Sequence, residues 1–254
     1  MSIQTIDSEP PVLHDYKLED WLRQTYGGQK PTSPSSQPTW KQRVLYAIGH
    51  AINAYYSLSP DMREVSNIGK LVDFRWPRRP VGFESEAHYW EVKDTVIAHL
   101  GTLLAEHQHS PHPVMLYEQQ KVIVPELGTE LSLIFQAAWQ TPWATAQPDV
   151  VPFGHKSLIV QKFFWEHEPH LEEAFIHLST VFCQTAFGSM PERIEIFNIS
   201  AGTVSHHIPS AEQYGRSIDY LELLRHAVPG GHTICTHCRS NAGTAYLAPK
   251  WSLT

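Results

Sequence analysis

Apolar positions along this chain recur at two periods, and the places where one gives way to the other mark its elements. Between residues 83 and 106 they fall three and four apart (Trp90, Val92, Val96, Ile97, Leu100, Leu103, Leu104), which predicts a long helix with one buried stripe. Residues 40–57 repeat the pattern through Val44, Leu45, Ile48, Ile52 and Tyr55 until Ser59-Pro60 ends it. Three strand-like runs follow at 114–124, 131–139 and 158–165. The turn Pro125-Glu126-Leu127-Gly128 joins the first two as an antiparallel hairpin. Helical spacing returns over 170–187 (Leu171, Phe175, Leu178, Val181, Phe182), with Gly188 placed to cap it in the left-handed conformation. Strands over 193–199 and 203–208 flank a turn at Ala201-Gly202. A last helix spans 210–228, with Ser210 as its N-cap and Tyr214, Ile218, Leu221 and Leu224 as its apolar face.

This order predicts an α/β fold: a central mixed sheet flanked by helices. Ahead of it, residues 13–26 read as a short helix with Leu18, Trp21 and Leu22 on one face, and 27–39 as a polar connector rich in Gly, Pro and Ser. The expected organisation is an N-terminal arm and linker (1–39), a main domain (40–228) and a Cys/His-containing tail (229–254). A chain of 254 residues, 42% hydrophobic and 18% charged, has the make-up of a soluble globular protein. The net charge of −7 argues against a dedicated nucleic-acid binder, and the one dense cationic run, Arg75-Trp76-Pro77-Arg78-Arg79, reads first as a solvated loop. No run approaches the ~18 apolar residues of a membrane span. The start of the chain lacks the apolar centre of a signal peptide, and three cysteines suit a reducing compartment, so a cytoplasmic location and no membrane partner are expected.

Helix, three strands, helix, strand pair and terminal cysteines together resemble the PD-(D/E)XK nuclease superfamily, above all its RecB-like branch, which includes the CRISPR-associated exonucleases. The resemblance covers about residues 82–238 and implies a restriction-endonuclease-like core. In that family an acid on the second strand, and another two positions before a lysine on the third, hold Mg²⁺. Mapped here, the lysine is Lys162, but Val160 stands where its acid belongs and Gln136 sits near the other acidic position. His88 matches a histidine of the RecB-like branch, and Asp149 follows a proline ahead of the third strand. The resemblance thus implies a scaffold whose catalytic carboxylates are lost. Lys162 is also readable as a solvent-facing strand lysine, His88 as a helix-face histidine and Asp149 as a loop residue. The competing reading is an active nuclease that joins Asp149 and Lys162 to a migrated carboxylate, Glu118 or Glu130; a Val160 buried in the core would count against it.

The sharpest local motif is His232-x-x-Cys235-x-His237-Cys238. Two cysteines that share a tight turn can present both sulfurs to one tetrahedral Zn²⁺, with His232 or His237 beside them and Cys183, His226 or the His206-His207 pair as a further ligand. Two unliganded thiols are the alternative. A four-thiolate iron–sulfur cluster is excluded within one chain of three cysteines. His107, His109 and His112 form a second histidine group, and Glu166-His167-Glu168 a polar triplet after the third strand. The expectation from sequence is a non-catalytic binding or scaffolding protein of a nucleic-acid-processing or defence assembly; its direct partner is expected to be another protein, with nucleic acid the alternative that the net charge does not support. A zinc-binding recognition module is a third possibility.

Overall fold

A computed structural model describes residues 10–27, 38–140 and 158–227. Among them the chain forms six strands and seven helices: β1 (Val12–His14), α1 (Asp15–Tyr26), α2 (Trp40–Ser57), α3 (Pro60–Glu64), α4 (Ile68–Asp73), α5 (Glu86–Ala105), β2 (Met115–Val124), β3 (Thr129–Gln140), β4 (Leu158–Phe164), α6 (Pro169–Phe187), β5 (Arg193–Asn198), β6 (Thr203–His207) and α7 (Ala211–Ala227). The fold is α/β with one mixed, open six-stranded sheet. β2 runs antiparallel to β3 through the Val124↔Thr129 hairpin, β4 pairs parallel with β5, and β5 antiparallel with β6.

The centre of this sheet is β3. It takes β2 along one edge. Residues Glu130–Ser132 and Ala137–Gln140 also pair with β1 (parallel) and β4 (antiparallel), so those two strands share its other edge in tandem. The segment that sequence reads as a separate arm therefore supplies a strand to the sheet.

Each face of the sheet is closed by its own helices. Leu18 and Leu22 of α1, Phe175, Leu178 and Phe182 of α6, and Leu221 of α7 cover Leu131, Leu133, Phe135, Val160 and Phe164. On the other face α2, α4 and α5 cover Ala137, Trp139, Phe163, Trp165 and Phe197. The stripe of α5 is Tyr89, Val92, Val96, Leu100, Leu103 and Leu104, whereas Trp90 stands one position off it and is 48% exposed. Capping follows the sequence. Thr39 forms a reciprocal box with Gln42 at the start of α2, Ser85 caps α5, Ser210 Oγ accepts from the Gln213 N–H, and Gly188 closes α6 at φ 74°.

Within β3 the alternation slips by one residue. Leu131, Leu133 and Phe135 face the α1/α6 side, but so does Ala138, while Ala137 and Trp139 face the other. The slip lies opposite Tyr117 of β2, the one non-glycine residue with positive φ (51°) among the described residues.

The short helices α3 and α4, in a stretch with no clear period, are organised by a buried cation. Arg63 is 2% exposed and donates to the carbonyls of Leu58 (3.0 Å), Tyr56 (3.2 Å) and Ser110 (2.7 Å). Two of these are C-terminal carbonyls of α2, where the helix dipole favours positive charge. Arg63→Ala leaves buried acceptors unpaired and should destabilise the fold by about 3 kcal/mol, read as a lower urea midpoint at unchanged slope.

Candidate functional site

Where β1 ends and β4 has yet to join, β3 has no ladder partner over residues 133–136 on that edge. The opening is filled by side chains. Asp15 begins α1, and its Oδ2 accepts from the Ile134 N–H at 2.8 Å while Oδ1 accepts from its own helix at Tyr16 N–H, 2.8 Å. Gln136 reaches sideways, its Oε1 accepting from the Phe163 N–H at 2.6 Å. Two side chains thus replace hydrogen bonds that parted strands cannot make.

Lys162 enters the same opening. Strand alternation puts it on the α1/α6 face with Val160 and Phe164, and it is 5% exposed, so it is not a surface lysine. Its ammonium donates to Glu19 Oε1 at 2.5 Å and lies 5.6 Å and 5.1 Å from the rings of Phe164 and Phe175. Glu19 stands one turn after Asp15, and Arg23 one turn further lies 3.7 Å from Glu19 and 3.1 Å from Glu168. Burial raises the Glu19 carboxyl, but Lys162 and Arg23 outweigh it and hold the group below the usual carboxylate range. Asp15 goes the other way: burial raises it, and Lys162 only partly offsets that. The stripe Asp15, Glu19, Arg23 is visible in sequence at four-residue spacing, but nothing there says that it meets Lys162.

These donors do not suit Mg²⁺. Val160 is fully buried and carries no oxygen, the Gln136 oxygen is taken by a backbone N–H, both Asp15 oxygens accept from backbone, and Glu19 is neutralised by Lys162. The migrated carboxylates are engaged elsewhere: Glu118 accepts from Gln120, and Glu130 from Lys121 at 2.8 Å. His88 is on the opposite side of the sheet, edge-on to Trp40 at 5.3 Å, with its Nδ1 3.3 Å from the Glu84 N–H. Asp149, His232, Cys235, His237 and Cys238 lie outside the described residues.

The other sequence candidates are dispersed. Cys183 is buried in α6 among core side chains, and burial pushes its thiol up to about 12. His107 stacks on Trp139 at 5.5 Å, His109 contacts Gln108, and His112 joins Arg63 at the end of α2. Glu166, His167 and Glu168 take three separate partners, Lys41, Glu172 and Arg23.

Pattern reading missed a polar row on the α2/α5 face. Gln161, Glu195 and His206 are register neighbours across β4, β5 and β6. The buried Glu195 carboxylate accepts from Gln161 Nε2 (2.6 Å) and Arg193 Nε (2.8 Å), with His107 and His206 at 3.8 Å and 3.7 Å. Among the described residues no group of three His, Cys, Asp or Glu side chains is placed to hold a metal ion.

Beside the sealed lysine a groove of about 840 Å³ opens between α1, the start of α2 and the end of β4. Arg23, Tyr26, Trp40, Lys41, Arg43 and Val81 line it, together with Glu166 and Glu168. Tyr26 stacks on His170 at 3.8 Å, and Trp40 meets Trp165 edge-on at 5.6 Å. Of the two places, only this groove is open to a ligand.

No protein-family model matches the chain, and no curated protein matches it.

Breaking the buried pair from one side strands a charge. Glu19→Gln should destabilise by about 3 kcal/mol, whereas the double change Glu19→Leu with Lys162→Met should come closer to the parent in urea denaturation. Because the folded-state pKa of Glu19 is depressed, its contribution is present above its unfolded value and is lost as pH falls through the folded one. The acid limb of a stability–pH profile should therefore be shallower in Glu19→Gln.

Proposed function

We propose that this chain is a non-catalytic binding or scaffolding protein on a degenerate nuclease-like scaffold, working in a nucleic-acid-processing or defence assembly. The likeness to a restriction-endonuclease-like core is supported by the succession α5, β2, β3, β4, α6, which presents Val160 and Lys162 on one face of the third of these strands. The observation that carries the non-catalytic reading is the state of Lys162, ion-paired to Glu19 and bracketed by two phenyl rings beside a fully buried Val160.

In a phosphodiester-cleaving site the lysine and the metal must meet a highly charged substrate. Here the lysine's charge is spent within the fold and its surroundings are apolar. The pair does different work: it fixes α1 against the sheet at the point where β3 and β4 part.

Incubation of the purified chain with single- and double-stranded DNA and Mg²⁺ or Mn²⁺ should yield no cleavage above that of Lys162→Met. Cleavage that depends on Lys162 or Asp149 would overturn the proposal in favour of a metal-dependent nuclease. Elemental mass spectrometry of the same sample tests the tail motif. Stoichiometric zinc, lost in the double Cys235→Ser, Cys238→Ser variant, is the outcome expected of a zinc-bound tail.

A further inference from the structure

α2 and the loop over residues 74–83 carry Lys41, Arg43, Arg75, Arg78 and Arg79 and no Asp or Glu of their own, in a chain whose net charge is −7; Lys41 is ion-paired to Glu166, which leaves the four arginines as the cationic surface. The two segments are far apart in sequence but contiguous in space. Arg43 donates to the Val81 carbonyl, and α2 packs on α4, from which the loop departs. On α2, Arg43, Tyr46 and His50 follow at three- and four-residue spacing. The Tyr46 and His50 rings meet at 4.5 Å, and the charge of Arg75 depresses the His50 imidazole alongside its burial.

The loop is built to present these groups outward. Trp76 and Phe83 are buried at its two ends, the Pro77 carbonyl accepts from Tyr89 Oη at 2.7 Å, and Gly82 turns the chain at φ 83°. Between the anchors Arg78 and Arg79 are exposed and make no ion pair among the described residues. Phe74 is 80% exposed, with the Arg75 guanidinium 5.0 Å from its ring centroid, and Tyr46 is 41% exposed. The carboxylates at the rim include Asp73, held by Lys93 at 2.5 Å, Glu84, and Glu166, held by Lys41. Through Arg43 and Val81 the surface runs into the groove lined by Trp40 and Tyr26, where Lys41 and Arg23 are paired with Glu166 and Glu168.

We infer that this surface binds single-stranded nucleic acid. The inference deepens the proposed function by naming the partner of that scaffold. Arginine forks complement phosphate oxygens, and the exposed Phe74 ring beside them offers a stacking platform that only unpaired bases can reach. A cluster of arginines on an otherwise acidic chain also gives a polyanion one place to settle. A duplex presents its phosphates more densely and keeps its bases stacked inside, so it gains the charge contacts but not the ring contacts.

The test is fluorescence anisotropy of the full chain with labelled 20-nucleotide single strands, DNA and RNA, against a duplex of the same sequence. Polyglutamate serves as an acidic-polypeptide competitor. Binding to single strands should exceed duplex binding, weaken with added salt, and fall at least tenfold in the triple variant Arg75→Ala, Arg78→Ala, Arg79→Ala. Phe74→Ala should lose about tenfold with little change in the salt slope. Because all four side chains are exposed, unchanged thermal unfolding excludes misfolding as the cause. No binding, equal affinity for duplex, full displacement by polyglutamate at equal charge, or binding insensitive to these variants would each overturn the inference. Loss of probe integrity with Mg²⁺, while these variants still weaken binding, would instead overturn the non-catalytic reading and leave this one standing.

Discussion

The opening between β3 and β4 is the constraint around which the rest is arranged. Two strands that pair for four residues and then part leave backbone donors facing the inside of the protein, and such groups must find acceptors. Asp15 and Gln136 provide them, and the remaining space is taken by Lys162 and its partner Glu19. Three of these four groups can carry charge in a nearly dry setting. The opposite shifts of Asp15 and Glu19 show how the site balances: only the carboxylate in direct contact with the ammonium gains more than it loses by burial. An ion pair of this kind is a weak source of stability, because desolvation consumes most of the attraction, but breaking it from one side is costly. It therefore fixes where α1 sits more than it strengthens the fold.

That geometry separates the two faces of the molecule by role. The α1/α6 face is closed over Lys162 and offers no access to it. The α2/α5 side carries the loop clasped at Trp76 and Phe83 and its arginines, and the aromatic groove lies at the boundary between the two sides, lined by α1, α2 and the start of α6. A net charge summed over the chain conceals the local excess of arginine, because α2 and residues 74–83 hold no acid of their own. The reading of the Arg75–Arg79 run as an ordinary solvated loop changes once Arg43 and Tyr46 are seen to extend it from a different helix.

The comparison of pattern and structure is instructive element by element. Residues 40–57 and 170–187 are legible because each buries a stripe whose period is set by local backbone geometry, and the strands over 131–139 and 158–165 because most of their residues are buried. β1 was not legible. Three residues, Val12–His14, cannot display a period, and they become a strand only because the edge of β3 is available to them. Apolar spacing alone places Trp90 on the buried stripe of α5. Its position, one step from Tyr89, turns it outward. Lys162 stands out in the sequence as a lysine within a strand, yet its burial and its partner depend on a helix more than a hundred residues earlier.

The sequence alone determined most of the succession of helices and strands, the caps at Ser210 and Gly188, and the mixed sheet flanked by helices. These follow from spacing and side-chain chemistry, which act over a few residues. Only the tertiary structure decided that Glu19 neutralises Lys162, that Gln136 repairs a broken ladder, and that arginines from two distant segments share one surface. Each of these is a contact between residues far apart in the chain, and which of them meet is fixed by how the sheet parts and which helices cover each face.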